Sequence, residues 1–157
     1  MHLTHRPAMP DDAAACIDLR GRTRQNAVSA ERLATLGITA SSWAEGIRSG
    51  ATPGHVCLQG DALVAYCFGD RDSGEVLVLA VLPAFEGQGL GRDLLARVVQ
   101  QLAALGWSRL FLGCSNDPAS RSHGFYRRLG WQPTGRLDDN GDEILELPLP
   151  WVQAPEG

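Results

Sequence analysis

Hydrophobic and polar positions along the chain follow two periods, one typical of strands and one typical of helices. The segment from Glu75 to Leu82 is almost continuously apolar, which predicts a central strand covered on both faces. Two shorter apolar stretches precede it, His55 to Leu58 and Ala62 to Phe68, and a turn near Gly60-Asp61 joins them. Because only a short link around Asp72-Ser73-Gly74 leads to the third stretch, the three strands are predicted to form an antiparallel meander.

A helical period dominates the stretch that follows. Apolar residues recur every three or four positions from Leu90 to about Leu105, which predicts an amphipathic helix that Gly106 ends. Asp11 or Asp12 is expected to cap an earlier helix. The remaining predicted elements are a strand over Leu3 to Arg6, helices over Ala13 to Gly21 and Ser120 to Leu129, helical pieces within Arg22 to Gly50, and strands over Arg109 to Cys114, Trp131 to Arg136 and Glu143 to Leu149.

Length and charge limit the classes of protein to consider. The 157 residues fit one domain, taken as residues 1–150 with a loose tail at 151–157. A net charge of -4 gives no broad attraction to nucleic acid or to an anionic membrane, and no apolar run is long enough to cross a bilayer. The first residues form no apolar leader, so the expected compartment is the cytoplasm. All 14 basic residues are arginine, which excludes a lysine Schiff base and a P-loop lysine.

The cysteines predict neither a disulfide framework nor a metal site. There are 4 of them, without a C-x-x-C pair, and they are expected to be reduced and mostly buried. His55, Cys57 and Cys67 could converge across a hairpin as metal ligands, but a fourth ligand is missing. Cys114 ends a strand with no histidine or acid beside it in the local sequence, which argues against an acyl-cysteine intermediate.

The strongest local motif is a glycine-rich turn between the central strand and the amphipathic helix. Gly87, Gly89 and Gly91 remove side chains where the backbone could meet a ligand, and the start of the helix presents unpaired N–H groups. This arrangement predicts a phosphate or pyrophosphate site with Arg92 as an additional contact, although three glycines can also simply form a tight turn. A dinucleotide fingerprint is disfavoured, because the turn follows antiparallel strands and its spacing is G-x-G-x-G.

The order of these motifs resembles the GNAT superfamily of acyl-CoA N-acyltransferases. The family signature Arg/Gln-x-x-Gly-x-Gly/Ala appears as Glu86-Gly87-Gln88-Gly89-Leu90-Gly91, with Glu86 where the family has Arg or Gln. A later family segment, an Asn followed by F-Y-x-x-x-G-F/W, appears as Asn116 and then as the stretch from Phe125 to Trp131. The resemblance covers most of the chain from His55 to Leu149.

The resemblance implies a GNAT-like α/β (α+β) fold, with a mixed, mostly antiparallel sheet flanked by helices and splayed between its fourth and fifth strands. It implies an N-acetyltransferase that moves an acetyl group from acetyl-CoA to a primary amine by direct attack on the thioester. CoA would enter the splay, where the backbone of Leu79 and Val81 would hold the acetyl and pantetheine portions. The other expected cofactor-binding residues are Gly87, Gln88, Gly89, Leu90, Gly91, Arg92 and Asn116.

Acetyl transfer to an amine requires a base, because an alkyl amine with a pKa near ~10.4 is mostly protonated at neutral pH. Glu75, which opens the central strand, is the candidate base, supported by the resemblance to GNAT histone acetyltransferases; the alternative is a solvated acid. Tyr126 is the candidate acid for the departing thiolate, and it could instead be a packing aromatic residue. His123 is a rival proton carrier. A basic group could reach the 3′-phosphate of CoA or form a solvated face: Arg121, Arg127 and Arg128.

Two other functions fit part of the pattern. The same pocket would serve a non-catalytic acyl-CoA-binding sensor, and a nucleotide-dependent oxidoreductase is a third reading. The segment from Arg22 to Gly50, with Glu31, Trp43 and Glu45, is expected to line the acceptor side as it does in the family. Small amines, amino acids, antibiotics and peptide N-termini all remain candidate acceptors. Members of the family are often dimers, so the resemblance suggests a homodimer.

Overall fold

The strands form two antiparallel sheets in a computed structural model that describes residues 2–24 and 27–150. The first sheet has the order β1-β2-β3-β4 and the second the order β5-β7-β6. Because β2 pairs antiparallel with β3 and β3 with β4, the predicted meander is confirmed. The bounds are β1 (Leu3–Pro7), β2 (Gly54–Gln59), β3 (Ala62–Gly69), β4 (Val76–Val81), β5 (Arg109–Cys114), β6 (Gln132–Leu137) and β7 (Glu143–Pro148).

Helices cover both faces of the first sheet. They are α1 (Ala13–Arg20), α2 (Ala30–Thr35), α3 (Ala40–Ser49), α4 (Leu90–Ala104) and α5 (Arg121–Arg128). The structure thus confirms the α/β class and resolves the predicted helical pieces between Arg22 and Gly50 into α2 and α3. Nowhere in residues 2–24 and 27–150 is a helix long and apolar enough to cross a membrane. The predicted loose tail at 151–157 lies outside the described residues.

The predicted cap of the first helix is wrong. Asp12 immediately precedes α1, but its side chain makes no capping hydrogen bond to that helix. Its carboxylate instead accepts from Arg6 at 2.8 and 2.9 Å and from the Met9 N–H at 2.7 Å. The arginine lies on β1 and outcompetes the local helix amides, a tertiary contact that sequence spacing alone does not reveal.

Two apolar clusters pack on opposite faces of the first sheet. On one face, α4 buries Leu94, Leu95 and Val98 against Cys67 of β3. On the other face, α1 and α3 cover a cluster that includes Leu19, Tyr66 and Phe68, with Trp43 packed against it. The rings of Trp43 and Phe68 meet edge to face with centroids 5.5 Å apart. The second face therefore presents an aromatic surface at the C-terminal end of β3.

β4 and β5 touch at one point and then separate. Glu75 and Phe111 form an isolated parallel bridge, and the Phe111 N–H donates to the Gly74 carbonyl at 3.2 Å. Beyond this bridge the two strands belong to different sheets. The splay between the fourth and fifth strands is thus confirmed, with its vertex at Glu75.

The register of β3 against β4 determines what β4 presents to the opening. Val78 pairs with Phe68 and Val76 with Gly69, so Leu77 is the extra residue of a bulge. The Leu82 N–H donates to the Val64 carbonyl at 3.0 Å. Because bonded positions alternate along an antiparallel strand, the backbone N–H and C=O groups of Leu79 and Val81 point away from β3, toward the splay.

Candidate active site

The splay opens into a cleft of about 1540 Å³. Its lining includes the glycine-rich turn, the start of α4 and residues of α5. The segment around α2 and α3, Phe68 of β3 and the β6–β7 turn line it as well. β4 also lines the cleft, with the edge that faces away from β3.

The glycine-rich turn has the geometry of an anion cradle. Gly87 and Gly89 adopt φ values of 78° and 81°, in the left-handed region that favours glycine. A Cβ at either position would meet nothing within 4 Å, so the space above the turn is open. Gly89 is the N-cap of α4 and supplies no side-chain cap to the first helical amides. These amides, with the positive end of the helix dipole, therefore face the cleft.

Gly91 brings the turn close to β4 without positive φ. A Cβ at this position would lie 3.6 Å from both Leu79 Cδ2 and Phe125 Cζ, an ordinary van der Waals distance. The turn thus lies directly over the part of β4 whose backbone points into the splay. The cleft is lined by Gly91, Leu79 and Val81, three residues that the resemblance assigns to CoA binding.

Glu86 has an environment that the sequence did not predict. Its carboxylate accepts from Arg24 Nε at 3.1 Å and also from Arg121, the first residue of α5. The Glu86 side chain is 17% exposed, and all three residues line the cleft. One arginine of the predicted basic group therefore pairs with the glycine turn. Another member of that group, Arg127, pairs with Glu143 of β7.

Glu75 lies half-buried at the vertex of the splay and lines the cleft. Its N–H donates to Ser73 Oγ at 3.2 Å, which fixes the backbone where β4 begins. Burial raises the pKa of the Glu75 carboxyl, and the negative charges of Asp70 and Asp138 raise it further. A carboxylate whose pKa is raised holds a proton more tightly than an exposed glutamate, which suits a group that must accept one.

Tyr126 lies on α5, partly buried among aromatic rings. Its ring centroid is 5.0 Å from that of Phe125 and 6.1 Å from that of Trp131, with edge-to-face geometry in both pairs. Burial raises the pKa of the Tyr126 hydroxyl, with smaller contributions from Cys67 and Cys114. The hydroxyl therefore remains protonated at neutral pH, and Tyr126 lines the same cleft as Glu75.

Three other residues from the sequence analysis lie away from the cleft wall. Asn116 is exposed, and its amide donates to the Gly141 carbonyl of the β6–β7 turn at 3.3 Å. Gln88 is exposed at the tip of the glycine turn, while Gly87, Gly89, Leu90, Gly91 and Arg92 line the cleft. His123 is in α5, but it is not among the described residues that line the cleft.

Two acids that the sequence analysis missed complete the vertex. Asp138 and Asp142, from the turn between β6 and β7, line the cleft near Glu75. The Asp142 N–H donates to Asp138 Oδ1 at 3.0 Å, and burial followed by the charge of Asp138 raises the pKa of Asp142. The sequence predicted the strands on either side of this turn. It did not predict that the turn packs on Gly113 of β5, because that is a tertiary contact.

The four cysteines and His55 are held within the fold. Cys16, Cys57, Cys67 and Cys114 are free and buried, and burial raises the pKa of each thiol. His55 Nδ1 hydrogen-bonds to Gln101 Oε1 at 2.9 Å. Among the described residues, no group of three or more His, Cys, Asp or Glu side chains is arranged to hold a metal ion.

Comparison with known proteins identifies a family for most of the chain. The model of the acetyltransferase (GNAT) family matches residues 23–131, which include the glycine-rich turn, Glu75 and Tyr126. No curated protein matches the chain in sequence at a significant level.

Solved structures share the fold over nearly the whole chain. PaiA N-acetyltransferase from Thermoplasma acidophilum, in complex with coenzyme A, superposes with a TM-score of 0.77 at 17% identity, covering 94% of this chain and 99% of that one. YncA from Salmonella typhimurium, solved with its cofactor acetyl-CoA, gives 0.73 at 21% identity over 100% and 99%. The ribosomal-protein-S18-alanine N-acetyltransferase from Escherichia coli gives 0.67 at 20% identity over 99% and 98%.

Proposed function

The chain belongs to the acetyltransferase (GNAT) family, and from this premise we propose that it transfers an acetyl group from acetyl-CoA to a primary amine by direct attack on the thioester. The observation that carries the proposal is the open cradle at the start of α4, directly over the free edge of β4. A pyrophosphate and an extended amide chain fit these two features side by side. The family and its CoA-bound structural relatives support a CoA-type cosubstrate.

The cradle suits the pyrophosphate of CoA. The amides of Gln88 to Arg92 supply N–H donors at a helix N-terminus, where anions are stabilised. The open space above Gly87 and Gly89 leaves room for phosphate oxygens that a side chain would displace. The pantetheine amides can then extend β4 by pairing with the backbone of Leu79 and Val81. To bind CoA, the Asn116 side chain would have to give up its hydrogen bond to the Gly141 carbonyl.

In this proposal, Glu75 removes the proton that keeps the amine unreactive. Glu75 takes this first proton directly or through one water and passes it to solvent. The neutral amine nitrogen then attacks the thioester carbonyl carbon, a C–N bond forms and the C–S bond breaks. The nitrogen loses its second proton by the same route as the amide forms, and the departing thiolate takes up one proton. The raised pKa of Glu75 brings its affinity for a proton closer to what this transfer needs. It lies at the vertex of the splay, where the strand that would hold the thioester begins.

Tyr126 is proposed to stabilise the departing thiolate. Because the pKa of its hydroxyl is raised, the group is a protonated donor at neutral pH. A CoA thiol resembles a cysteine thiol, with a pKa near ~8.5, so complete proton transfer from a less acidic phenol is unfavourable. We therefore assign Tyr126 a hydrogen bond to the thiolate sulfur as the C–S bond breaks, with the final proton coming through solvent.

Binding and turnover measured on one preparation test the proposal. Calorimetry is expected to show saturable binding of acetyl-CoA and none of comparable strength for NAD, which the oxidoreductase reading requires. Incubation with acetyl-CoA and a panel of amines should then release free CoA thiol and an acetamide in equal amounts. Tight acetyl-CoA binding without acetamide formation from any amine would instead identify a sensor module.

A further inference from the structure

Large apolar side chains are exposed in the part of the cleft that the segment around α2 and α3 lines together with β4, which we call the acceptor half. Of the six large hydrophobic residues that the described chain exposes, three line this cleft: Leu36, Ile38 and Leu77, at 56%, 37% and 45% exposure. These side chains contribute little to the folded core, because much of their surface stays in water. An exposed apolar patch inside a concave site is the usual mark of a ligand's apolar surface.

Four more apolar residues line this part of the cleft, beside the hydroxyl residues Thr23, Ser42 and Thr52. Leu33 and Val28 of the same segment line the cleft, as do Trp43 of α3 and Phe68 of β3. The Trp43 ring is fixed by edge-to-face contacts with Tyr66 and Phe68, whose centroids lie 5.6 and 5.5 Å away. A rigid aromatic wall of this kind offers contact area at little entropic cost.

Charge in the cleft is unevenly distributed. Glu75, Asp138 and Asp142 line the cleft at the vertex, where the reacting amine must lie under the proposed function. Arg20 and Arg24 line the apolar half instead, and Arg24 is paired with Glu86. An ammonium group is therefore favoured at the vertex and disfavoured against the apolar wall.

We propose that the acceptor is a primary monoamine on an apolar body, an alkylamine or an arylalkylamine, whose apolar part lies against Leu36, Ile38 and Trp43 while its amine faces Glu75. The proposal rests on the proposed function for the position of the reacting amine. The apolar wall and the acidic vertex together form the complement of such a molecule, which carries one positive charge at one end.

Three other acceptor classes fit less well. A diamine or polyamine would bury a second ammonium against apolar side chains, at a desolvation cost, and near two arginines. An α-amino acid would bring its carboxylate next to the amine and hence among the acids at the vertex. An amine with a distant carboxylate would approach Arg20 and Arg24 but place its charge on the apolar wall. Each class can be represented by one small probe.

The test compares probes of similar chain length on the complex saturated with CoA, in which no acetyl group can be transferred. Hexylamine differs from cadaverine by a terminal methyl group in place of an ammonium group, and aminocaproate has a carboxylate at that position. Norleucine has the same number of carbons, with a carboxylate on the carbon that carries the amine. Calorimetry is expected to give hexylamine an affinity about 10-fold or more above the other three, the scale on which apolar pockets discriminate. Tighter binding of cadaverine, norleucine or aminocaproate, or binding of none, overturns the proposal.

A matched pair of leucines links this preference to the wall. Leu36 and Leu105 each occupy the C-cap of a helix with similar backbone angles, and they are 56% and 52% exposed, but only Leu36 lines the cleft. Leu36→Ser is expected to weaken hexylamine binding about 3-fold to 10-fold, with an unchanged melting temperature and CoA affinity. Leu105→Ser should change none of these. Equal hexylamine affinity in both variants overturns the assignment of the wall.

Turnover separates the two proposals. Acetylation of cadaverine in preference to hexylamine would keep the proposed function and remove the monoamine class. Selective hexylamine binding that Leu36→Ser weakens, without acetamide formation from any probe, would keep the ligand class and remove the acetyltransferase activity.

Discussion

The Nε atom of Arg24 lies 3.1 Å from Oε2 of Glu86, so an arginine of the segment before α2 meets the glycine turn 62 residues further along the chain. Arg121 donates to the same carboxylate. Glu86 stands where the GNAT signature has Arg or Gln, next to the proposed pyrophosphate site. Its negative charge is thus covered by two guanidinium groups rather than facing the phosphates alone.

We expect Glu86→Gln to strengthen acetyl-CoA binding. The substitution removes one negative charge beside the cradle and frees Arg24 and Arg121 to face the phosphates. Because both arginines are more than half exposed, screening limits the gain to about 2-fold to 5-fold at low salt. Calorimetry over a salt series checks this, since the difference between variant and parent should shrink as salt rises. Weaker binding in the variant would show that Glu86 orients the arginines productively.

Glu146→Gln is the matched control for Glu86→Gln. Glu146 of β7 also accepts from two arginines, Arg109 and Arg136, and its side chain is 20% exposed, but it does not line the cleft. Both variants should lose a similar, small amount of stability, about 1 kcal/mol or less for each exposed ion pair. Only Glu86→Gln should change acetyl-CoA affinity.

Gly91→Glu is expected to reduce acetyl-CoA affinity by about 100-fold or more while the protein stays folded. Gly91 has no positive φ, and an acidic residue in the first turn of α4 is favourable for the helix. The longer side chain would occupy the space between Leu79 and Phe125 and oppose the phosphate charge. Gly91→Ala is the control, because its Cβ makes only ordinary contacts at 3.6 Å. Unchanged calorimetric affinity in folded Gly91→Glu would move the phosphate site elsewhere.

Much of the fold could be predicted from periodicity, because the buried strands and the long helix carry their own apolar patterns. The central strand and α4 are the clearest cases: β4 is apolar throughout, and α4 repeats apolar residues at helical spacing. The Asp12 cap failed because Arg6, on another element, supplied a stronger partner. Local patterns determine elements, whereas competition between partners is settled only by tertiary packing.

The sequence predicted the parts of the candidate site that depend on local backbone conformation. It did not reveal the parts that depend on which distant segments pack together. Gly87 and Gly89 are visible in sequence because their left-handed φ values require glycine. The carboxylates of Asp138 and Asp142 were not found, since they reach the cleft through the packing of the β6–β7 turn on β5. For the same reason, the pairing of Glu86 with Arg24 could not be read from the motif.

Glu75→Gln is expected to lower the rate of acetyl transfer most near neutral pH, by about 10² or more, and least near the pKa of the amine. A base matters most while the amine is protonated, and bulk solution supplies neutral amine as the pH approaches ~10.4. Rates with a saturating amine from pH 6 to 10 therefore give a ratio of parent to variant that falls as pH rises. A constant ratio would exclude Glu75 as the base.

Stability provides a separate check on Glu75. Burial, with Asp70 and Asp138, raises its pKa in the folded protein above the unfolded value, so the folded state holds the proton more tightly. The free energy of unfolding then falls as pH rises from the unfolded pKa near ~4.3 through the raised folded pKa. Glu75→Gln removes that loss, and its melting temperature at pH 7 should equal or exceed that of the parent. A lower value would indicate a structural role for the carboxylate.

Tyr126→Phe is expected to lower kcat about 10-fold to 100-fold with little change in acetyl-CoA affinity. The substitution removes one oxygen and keeps the ring that packs on Phe125 and Trp131. A thiolate is already a fair leaving group, so the loss should lie at the low end of what general acid–base groups contribute. Affinity, kcat and melting temperature should be measured on one preparation with a good acceptor amine.

The three quantities separate three roles for Tyr126. A packing residue predicts a lowered melting temperature with little change in rate, and a binding residue predicts weaker acetyl-CoA affinity at constant kcat. A hydrogen bond to the thiolate predicts reduced kcat alone, and a good acceptor amine, whose attack is fast, keeps the bond-breaking step visible in kcat. Because the phenol pKa is raised, the rate effect should also persist to high pH, where an ordinary tyrosine would ionise near ~10. Full kcat in the variant, with chemistry shown to be rate-limiting, would remove Tyr126 from the mechanism and make His123 or water the next candidate.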